Sequence, residues 1–145
     1  MNIVERAKEL AHRAHAGQVD KAGRPYIEHV ARVAAAVSDD PEAEAVAWLH
    51  DVLEDCAIEF VREVRHFHQR VNFAVKELTR GNSSDEVYYA LIRNDPLALR
   101  VKLADIADNS SEERLALLDE KTAARLRRKY AKAIRELTKE TNDGR

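Results

Sequence analysis

Residues 45–56 read AVAWLHDVLEDC, a run of apolar side chains interrupted by one histidine and three carboxylates. The apolar positions predict a helix that is buried over most of its length. The polar positions are His50, Asp51, Glu54 and Asp55, which form two pairs spaced four residues apart. Because residues four apart lie on one face of a continuous helix, we expect these side chains to crowd one side of it.

Three carboxylates on one side of a buried helix repel one another, and each costs free energy to bury without a partner. A divalent cation would neutralise part of this charge and hold the side chains in place. His50 and Asp51 offer one nitrogen and one oxygen ligand for such an ion. The alternative interpretation is a solvent-facing stripe that contains a chance His-Asp pair.

Two further segments argue against a chance pair. Residues 25–29, PYIEH, place His29 early in a short helix that follows a glycine-containing loop. Residues 101–109, VKLADIADN, place Asp105 inside an apolar helix. Three helices therefore supply a histidine, a His-Asp pair and a distant aspartate, which together form a complete coordination set for one ion.

The composition favours helix along the whole chain. Gly (4) and Pro (3) are scarce among the 145 residues, and aromatic residues make up only 6%. We expect an all-α fold, a single compact helical bundle over residues 1–145, without repeats or linkers. Apart from the C-terminal helix, the predicted helices cover approximately residues 2–16, 26–37, 41–55, 59–69, 71–80, 85–93 and 97–109.

The composition also limits the function classes. The single cysteine excludes a disulfide framework and a cysteine-based zinc site, and it suits a reducing compartment such as the cytoplasm. No apolar run approaches 18 residues, so neither a membrane span nor a membrane partner is expected. The net charge of −2 gives no general reason to expect nucleic acid as a partner.

Positive charge is concentrated at the C-terminal end. Residues 121–145 hold nine basic and three acidic side chains. We expect a helix over about residues 121–141 that packs on or beside the candidate site. Its basic residues form either a solvated helix face or a surface that attracts an anionic substrate.

Four ordered segments carry a resemblance to a known family. They are AHAGQ at 14–18, KAGRPYIEH at 21–29, LHDVLED at 49–55, and KLAD at 102–105 with Asn109. The chain resembles the HD-domain metallophosphohydrolases, and more narrowly the hydrolase domain of RelA/SpoT-type proteins and the stand-alone small alarmone hydrolases. The resemblance covers most of the chain and implies the HD-domain helical bundle.

The resemblance also implies roles for individual residues. It implies four ligands for one divalent metal ion, usually manganese: His29, His50, Asp51 and Asp105. Glu54 and Asp55 match the acidic pair that positions and activates the attacking water. Substrate contacts are implied for three residues: Lys21, Asn109 and Tyr130.

The implied activity is hydrolysis of a nucleotide pyrophosphate. Its most specific form is guanosine 3′,5′-bis(diphosphate) 3′-pyrophosphohydrolase, which removes the alarmone ppGpp in the stringent response. Besides Lys21, the basic residues Arg24, Arg100 and Lys102 are candidates to offset the charge of the pyrophosphate. One departure stands out, because Asp20 occupies a position where these hydrolases usually have an arginine. An acid beside a polyphosphate is unfavourable unless its side chain faces away.

Three other functions stay open at this point. The first is hydrolysis of a different nucleotide or phosphate ester at the same metal site. The second is a non-catalytic nucleotide-binding or interaction module, although such a module has no need of the water-activating pair Glu54 and Asp55. A nucleic-acid module is the weakest, because no known DNA-reading motif is present. The sequence does not decide the oligomeric state, and a homo-oligomer is one outcome.

Overall fold

The computed structural model describes residues 1–140, apart from the side chain of Asp55. Helices dominate this part of the chain, and one isolated antiparallel bridge joins Val19 to Pro25. The helices are α1 (Ile3–Ala14), α2 (Tyr26–Ala36), α3 (Pro41–Leu49), α4 (Val52–Asp55), α5 (Ile58–Val64), α6 (Gln69–Leu78), α7 (Asp85–Arg93), α8 (Pro96–Asn109), α9 (Glu112–Leu115) and α10 (Glu120–Thr138). The all-α prediction is confirmed.

Asp-Pro pairs begin two of the helices that matter most for the site. Asp40 precedes Pro41, and its Oδ1 accepts a hydrogen bond from the backbone N–H of Glu42 at 3.0 Å. Asp95 precedes Pro96 and accepts in the same way from Leu97 at 3.1 Å. The aspartate satisfies free N–H groups of the first turn, and proline has no N–H to satisfy there.

Helix α3 lies at the centre of the bundle. It packs against α1, α2, α6 and α8. Buried side chains occupy almost every position of its second half: Ala45, Val46, Ala47, Trp48 and Leu49. The next residue, His50, is therefore delivered directly into the interior, where it is only 3% exposed.

The predicted helix over residues 41–55 is wrong in one respect, because it is broken between Leu49 and Val52. Asp51 has φ −106° and ψ 0°, which leaves the α-helical region. At the break, the His50 Nδ1 lies 2.6 Å from the carbonyl oxygen of Ala47. His50 and Asp51 therefore reach the site from a turn, and the helical i,i+4 spacing does not govern where they point.

Helix α9 was not predicted. It has only four residues, and Ser111 caps it by accepting a hydrogen bond from the N–H of Arg114 at 3.3 Å. Leu115 of α9 packs with Ala123 and Leu126 of α10 in a small separate cluster. This contact holds the start of α10 close to the end of α8.

Helix α10 spans the bundle from that small cluster to the main core, which it reaches through Ala133 and Leu137. The predicted end at residue 141 lies outside the described residues. Among the described helices, none combines the length and apolar character needed to cross a membrane.

Candidate metal centre

The four residues predicted as metal ligands lie together. His29 comes from α2, His50 and Asp51 from the turn between α3 and α4, and Asp105 from α8. Each offers one ligand atom, and these four atoms all lie within 4.8 Å of one another. Three of the residues are buried, and Asp51 is half-buried.

Two imidazole nitrogens point at the same carboxylate oxygen. The Asp105 Oδ1 lies 2.9 Å from the Nε2 of His29 and 3.2 Å from the Nε2 of His50. The Nε2 of His50 also lies 3.1 Å from the Oδ2 of Asp51. Two nitrogens and two carboxylates therefore converge on one small volume in the interior.

The electrostatics keep both carboxylates ionised. Burial alone would raise the pKa of Asp51, but the charge of His50 and its hydrogen bond lower it to about 2. Burial opposes ionisation of Asp105 as well, yet the charge of His50 and the hydrogen bonds from both histidines hold its pKa well below 3.8. The carboxylates are thus in the form that binds cations.

Outer contacts orient the candidate ligands. The His29 Nδ1 donates to the Oδ2 of Asp108 at 2.7 Å, and the Nδ1 of His50 faces the carbonyl oxygen of Ala47. The hydroxyl of Tyr26 donates to the Oδ2 of Asp51. In both histidines the outer nitrogen faces an acceptor and Nε2 faces the cluster, which is the arrangement found around protein-bound metals.

This donor set fits a divalent ion. Imidazole nitrogen and carboxylate oxygen suit first-row metals such as manganese, iron or zinc. A divalent ion held by these four residues would be able to take water or substrate as further ligands. The residues present therefore fit the divalent metal ion that the resemblance implies.

The predicted water-activating pair lies beside this cluster on α4. Glu54 is exposed, and its Oε1 accepts a hydrogen bond from the backbone N–H of Arg80 at 2.5 Å. Asp55 is the last residue of α4, but its side chain lies outside the part of the chain that the structure describes.

One cavity, the loop-side pocket, has a volume of about 290 Å³ and adjoins the cluster at Tyr26 and Asn109. It is bounded by the loop of residues 17–25, the end of α8, α9 and α10. The structure brings the three predicted substrate residues together here: Lys21, Asn109 and Tyr130. Leucine side chains of α9 and α10 and of the segment between them add an apolar surface to the same cavity: Leu115, Leu117, Leu118 and Leu126.

A second cavity, the lysine-lined pocket, has a volume of about 570 Å³ and reaches the cluster at His50 and Asp51. Its lining includes the acidic residues Asp51, Glu54 and Asp85, together with His50. Four basic residues from the α6–α7 loop, α8 and α10 line the same cavity: Arg80, Lys102, Lys129 and Lys132.

Positive charge in the lysine-lined pocket is only partly balanced. The Lys102 Nζ lies 3.3 Å from the Oδ2 of Asp105. Arg80 and Lys132 share one acidic partner, Asp85, which lies 3.6 Å from Lys132. Burial, followed by the charges of Lys102 and Lys21, lowers the pKa of Lys129 below its usual 10.5. A bound anion would relieve this crowding of cations.

Two of the predicted basic residues do not reach this pocket. Arg100 pairs with Asp39 on the surface, and Arg24 borders a different cavity beside Arg32. Arg80 and Lys129 occupy the pocket instead. The excess of positive charge in residues 121–145 was a signal for Lys129, whereas nothing in the sequence singled out Arg80.

The sequence is similar to long bacterial proteins. It is 31% identical over 141 residues to the probable GTP pyrophosphokinase of Mycobacterium leprae, which aligns 88% of this chain and 18% of that protein. It is 33% identical over 118 residues to the guanosine-3′,5′-bis(diphosphate) 3′-pyrophosphohydrolase of Aquifex aeolicus, with 73% of this chain and 17% of that protein aligned. The chain thus spans less than a fifth of either relative. No protein-family model matches it.

The fold is similar to that of a solved structure described as a metazoan ortholog of SpoT that hydrolyses ppGpp. The TM-score is 0.78 at 21% identity, and the match covers 99% of this chain and 89% of that one. The chain is a homologue of the RelA/SpoT-type proteins. The resemblance stated from its four sequence segments is therefore confirmed, and so is the HD-domain fold.

Asp20 is the position where this RelA/SpoT homologue departs from the expected arginine, and its carboxylate is held by protein donors. Its Oδ1 accepts hydrogen bonds from the N–H groups of Ala22 and Arg24, both at 2.9 Å. Its Oδ2 accepts from the Nη2 of Arg114 at 3.0 Å. Burial alone would raise the pKa of Asp20, but these hydrogen bonds lower it. Sequence reasoning missed Arg114, which lies 94 residues from Asp20.

Proposed function

We propose that the protein is a metal-dependent phosphohydrolase that releases pyrophosphate from the 3′ position of guanosine 3′,5′-bis(diphosphate). One observation carries this proposal: the buried cluster of two histidines and two aspartates opens into a pocket lined by lysines. A site for a divalent ion beside a site for an anion suits a phosphorylated substrate. The proposal includes manganese as the ion and the cytoplasm as the location.

Four residues would hold the metal: His29, His50, Asp51 and Asp105. A metal bound there supplies Lewis-acid chemistry, since it polarises a phosphoryl oxygen and stabilises negative charge on it.

Glu54 would act as the general base, with Asp55 as its predicted partner. It takes a proton from water while the water oxygen forms a bond to the phosphorus attached to the ribose 3′ oxygen. The bond between that phosphorus and the ribose oxygen breaks, and the ribose oxygen takes up a proton from solvent while Glu54 returns its own. The products are pyrophosphate and a nucleotide with a free 3′ hydroxyl. The hydrogen bond from the N–H of Arg80 supports the orientation of Glu54 for this step.

The two pockets divide the substrate between them. In the lysine-lined pocket, Lys102, Lys129 and Arg80 offset the charge of the pyrophosphate. In the loop-side pocket, Lys21 and Asn109 contact the rest of the nucleotide, and Tyr130 with neighbouring leucines offers a surface against which a base can stack.

The names of the relatives support the substrate. The Aquifex protein is named a guanosine-3′,5′-bis(diphosphate) 3′-pyrophosphohydrolase, as is a Vibrio cholerae protein that is 32% identical over 114 residues. The metazoan SpoT ortholog, which has the same fold and nearly the same extent, is described as hydrolysing ppGpp.

A different nucleotide is the second candidate, and the Asp20–Arg114 pair favours it. The guanidinium of Arg114 is neutralised by Asp20 and Asp108, so Lys21 carries the unopposed positive charge among the described residues of the loop-side pocket. A nucleotide with fewer phosphates on the part that lies in the loop-side pocket would suit this charge balance.

The test is release of phosphate and pyrophosphate from a panel of nucleotides that includes ppGpp, with manganese added. We expect pyrophosphate from ppGpp, and we expect its loss after chelation and in Glu54→Gln, which should keep wild-type metal content. Glu59→Gln, an exposed change on the neighbouring helix α5, is the matched control. Release from another nucleotide alone would favour the second candidate, and normal turnover by Glu54→Gln would remove Glu54 from its role.

A further inference from the structure

Arg114 is the one residue of α9 that reaches the metal centre in the described structure. Its Nη2 donates to the Oδ2 of Asp20 at 3.0 Å. Its Nη1 donates to the Oδ2 of Asp108 at 3.0 Å and to the Oδ1 of Asn109 at 2.8 Å. A single guanidinium therefore joins the loop of residues 17–25 to the end of α8.

The contact with Asp108 extends to the candidate ligand His29. The Nδ1 of His29 and the Nη1 of Arg114 both approach the Oδ2 of Asp108, at 2.7 and 3.0 Å. The two nitrogens lie 3.1 Å apart, so they share one acceptor. Asp108 thereby fixes the orientation of the His29 ring, with Nε2 facing the cluster.

The contact with Asp20 fixes the loop that carries Lys21. Asp20 holds the N–H groups of Ala22 and Arg24 with one oxygen and Arg114 with the other. Lys21 lies between these anchored positions and lines the loop-side pocket. The position of Lys21 thus depends on an ion pair with α9.

We propose that Arg114 is a positioning residue that couples the Lys21 loop to the metal ligand His29, through Asp20 on one side and Asp108 on the other. The inference rests on the metal site of the proposed function and concerns how that site is held. Arg114 acts through its neighbours, because both of its terminal nitrogens are already engaged by protein acceptors.

The Asp108 side is tested by titrating the metal-free protein with manganese in a calorimeter. Replacing a carboxylate that orients a histidine ligand typically weakens metal affinity by roughly 10- to 100-fold. We expect that loss in Asp108→Asn and a smaller loss, roughly 3- to 10-fold, in Arg114→Gln. The control is Arg127→Gln, which removes the exposed ion pair between Arg127 of α10 and Glu112 of α9. This variant should bind manganese like the wild type.

The Asp20 side is tested by hydrogen–deuterium exchange of residues 17–25. Asp20→Asn keeps an oxygen that can accept from the loop N–H groups but loses the ion pair with Arg114. We expect faster exchange of this loop in Asp20→Asn and in Arg114→Gln, and no change in Arg127→Gln. Asp20→Asn should leave manganese affinity unchanged and raise the KM for the nucleotide while kcat stays within about twofold.

The outcomes separate this inference from the proposed function. Wild-type manganese affinity in Arg114→Gln, whatever the result for Asp108→Asn, or an unchanged loop in Asp20→Asn, would overturn the coupling. If the wild-type protein cleaves no nucleotide but the variants bind manganese more weakly than it does, the coupling is supported and the proposed function is contradicted. A wild-type protein that binds no manganese would overturn both.

Discussion

Helix α8 carries two buried aspartates with opposite surroundings, Asp95 at its start and Asp105 ten residues later. Both are less than 10% exposed. Both also have pKa values below the usual 3.8, Asp95 at about 2 and Asp105 well below its ordinary value. Burial and charge alone therefore do not distinguish them.

The hydrogen-bond donors around the two aspartates distinguish them. Asp95 accepts from the backbone N–H groups of Leu97 and Ala98 and, with both oxygens, from the guanidinium of Arg70 at 2.5 and 3.2 Å. None of these donors gives up its proton under ordinary conditions, because amides and guanidinium groups stay protonated. Asp95 is thus a structural helix cap.

Asp105 instead faces two imidazole nitrogens, with Asn109 and Lys102 at its edges. An imidazole can lose its proton and use the same nitrogen to bind a metal. The comparison suggests a general criterion: a buried carboxylate that meets histidine Nε2 atoms is a metal candidate, whereas one held by backbone N–H groups and a guanidinium is structural.

The largest expected effect separates the two aspartates by function. Asp105→Asn should remove a metal ligand and reduce turnover by roughly 100- to 1,000-fold or more, because a Lewis acid contributes several kcal/mol to such a reaction. Asp95→Asn should retain at least about half of the wild-type turnover. Metal content and pyrophosphate release of the two purified variants check this, and equal losses in both would contradict the criterion.

The second effect separates them by stability. Asp95→Asn keeps a good N-cap residue but loses the charged pairing with Arg70, so we expect the free energy of unfolding to fall by about 1–2 kcal/mol. Urea denaturation of the metal-free protein measures it. Arg100→Gln, which breaks an exposed pair on the same helix, should change stability by less than about 0.5 kcal/mol. A larger loss in Arg100→Gln than in Asp95→Asn would reverse the assignment.

The smallest effect concerns the pH dependence around Asp95. Burial, and then the hydrogen bond with Asp95, raise the pKa of Glu77 from 4.5 to about 8. The folded protein therefore holds a proton that the unfolded chain releases above pH 4.5, and this stabilisation is lost as the pH rises towards 8. The lowered pKa of Asp95 acts in the opposite direction but only below about pH 4.

Glu77→Gln should remove this part of the pH dependence. Between pH 5 and pH 8.5 we expect the wild type to lose about 1 kcal/mol more stability than the variant. Urea denaturation at both pH values gives the difference, and Glu112→Gln, a change at an exposed carboxylate, serves as the control. Parallel losses in the wild type and Glu77→Gln would show that Glu77 does not hold the proton.

The sequence predicted the helices and the four clustered residues because both depend on local pattern. Apolar periodicity located α8 around Asp105, and the Asp-Pro pairs located the starts of α3 and α8. The helix prediction failed at His50 and Asp51, because the apolar run of the sequence continues there although the helix is broken. The break depends on packing against other helices and on the contact of His50 with Ala47, which propensity does not encode.

The residues around the cluster were harder to predict for a different reason. Arg114 meets His29 across 85 positions of sequence and Asp20 across 94. Its own segment, SSEERL, reads as an ordinary polar connection, and α9 has too few residues for a periodic signal. Only the folded chain shows that a cation from this connection meets the acid that stands in place of an arginine.

Helix α10 contributes lining residues to both pockets. Lys129 lines one pocket and Tyr130 the other, although they are consecutive residues about 100° apart around the helix axis. Their phase is set by the buried residues Ala123, Leu126, Ala133 and Leu137, which lock the rotation of the helix. A single-residue insertion between Leu126 and Lys129 would turn Ala123 and Leu126 by about 100° relative to Lys129 and Tyr130, so the two halves of the helix would no longer pack at the same angle. Both pockets therefore depend on one rotational setting of α10.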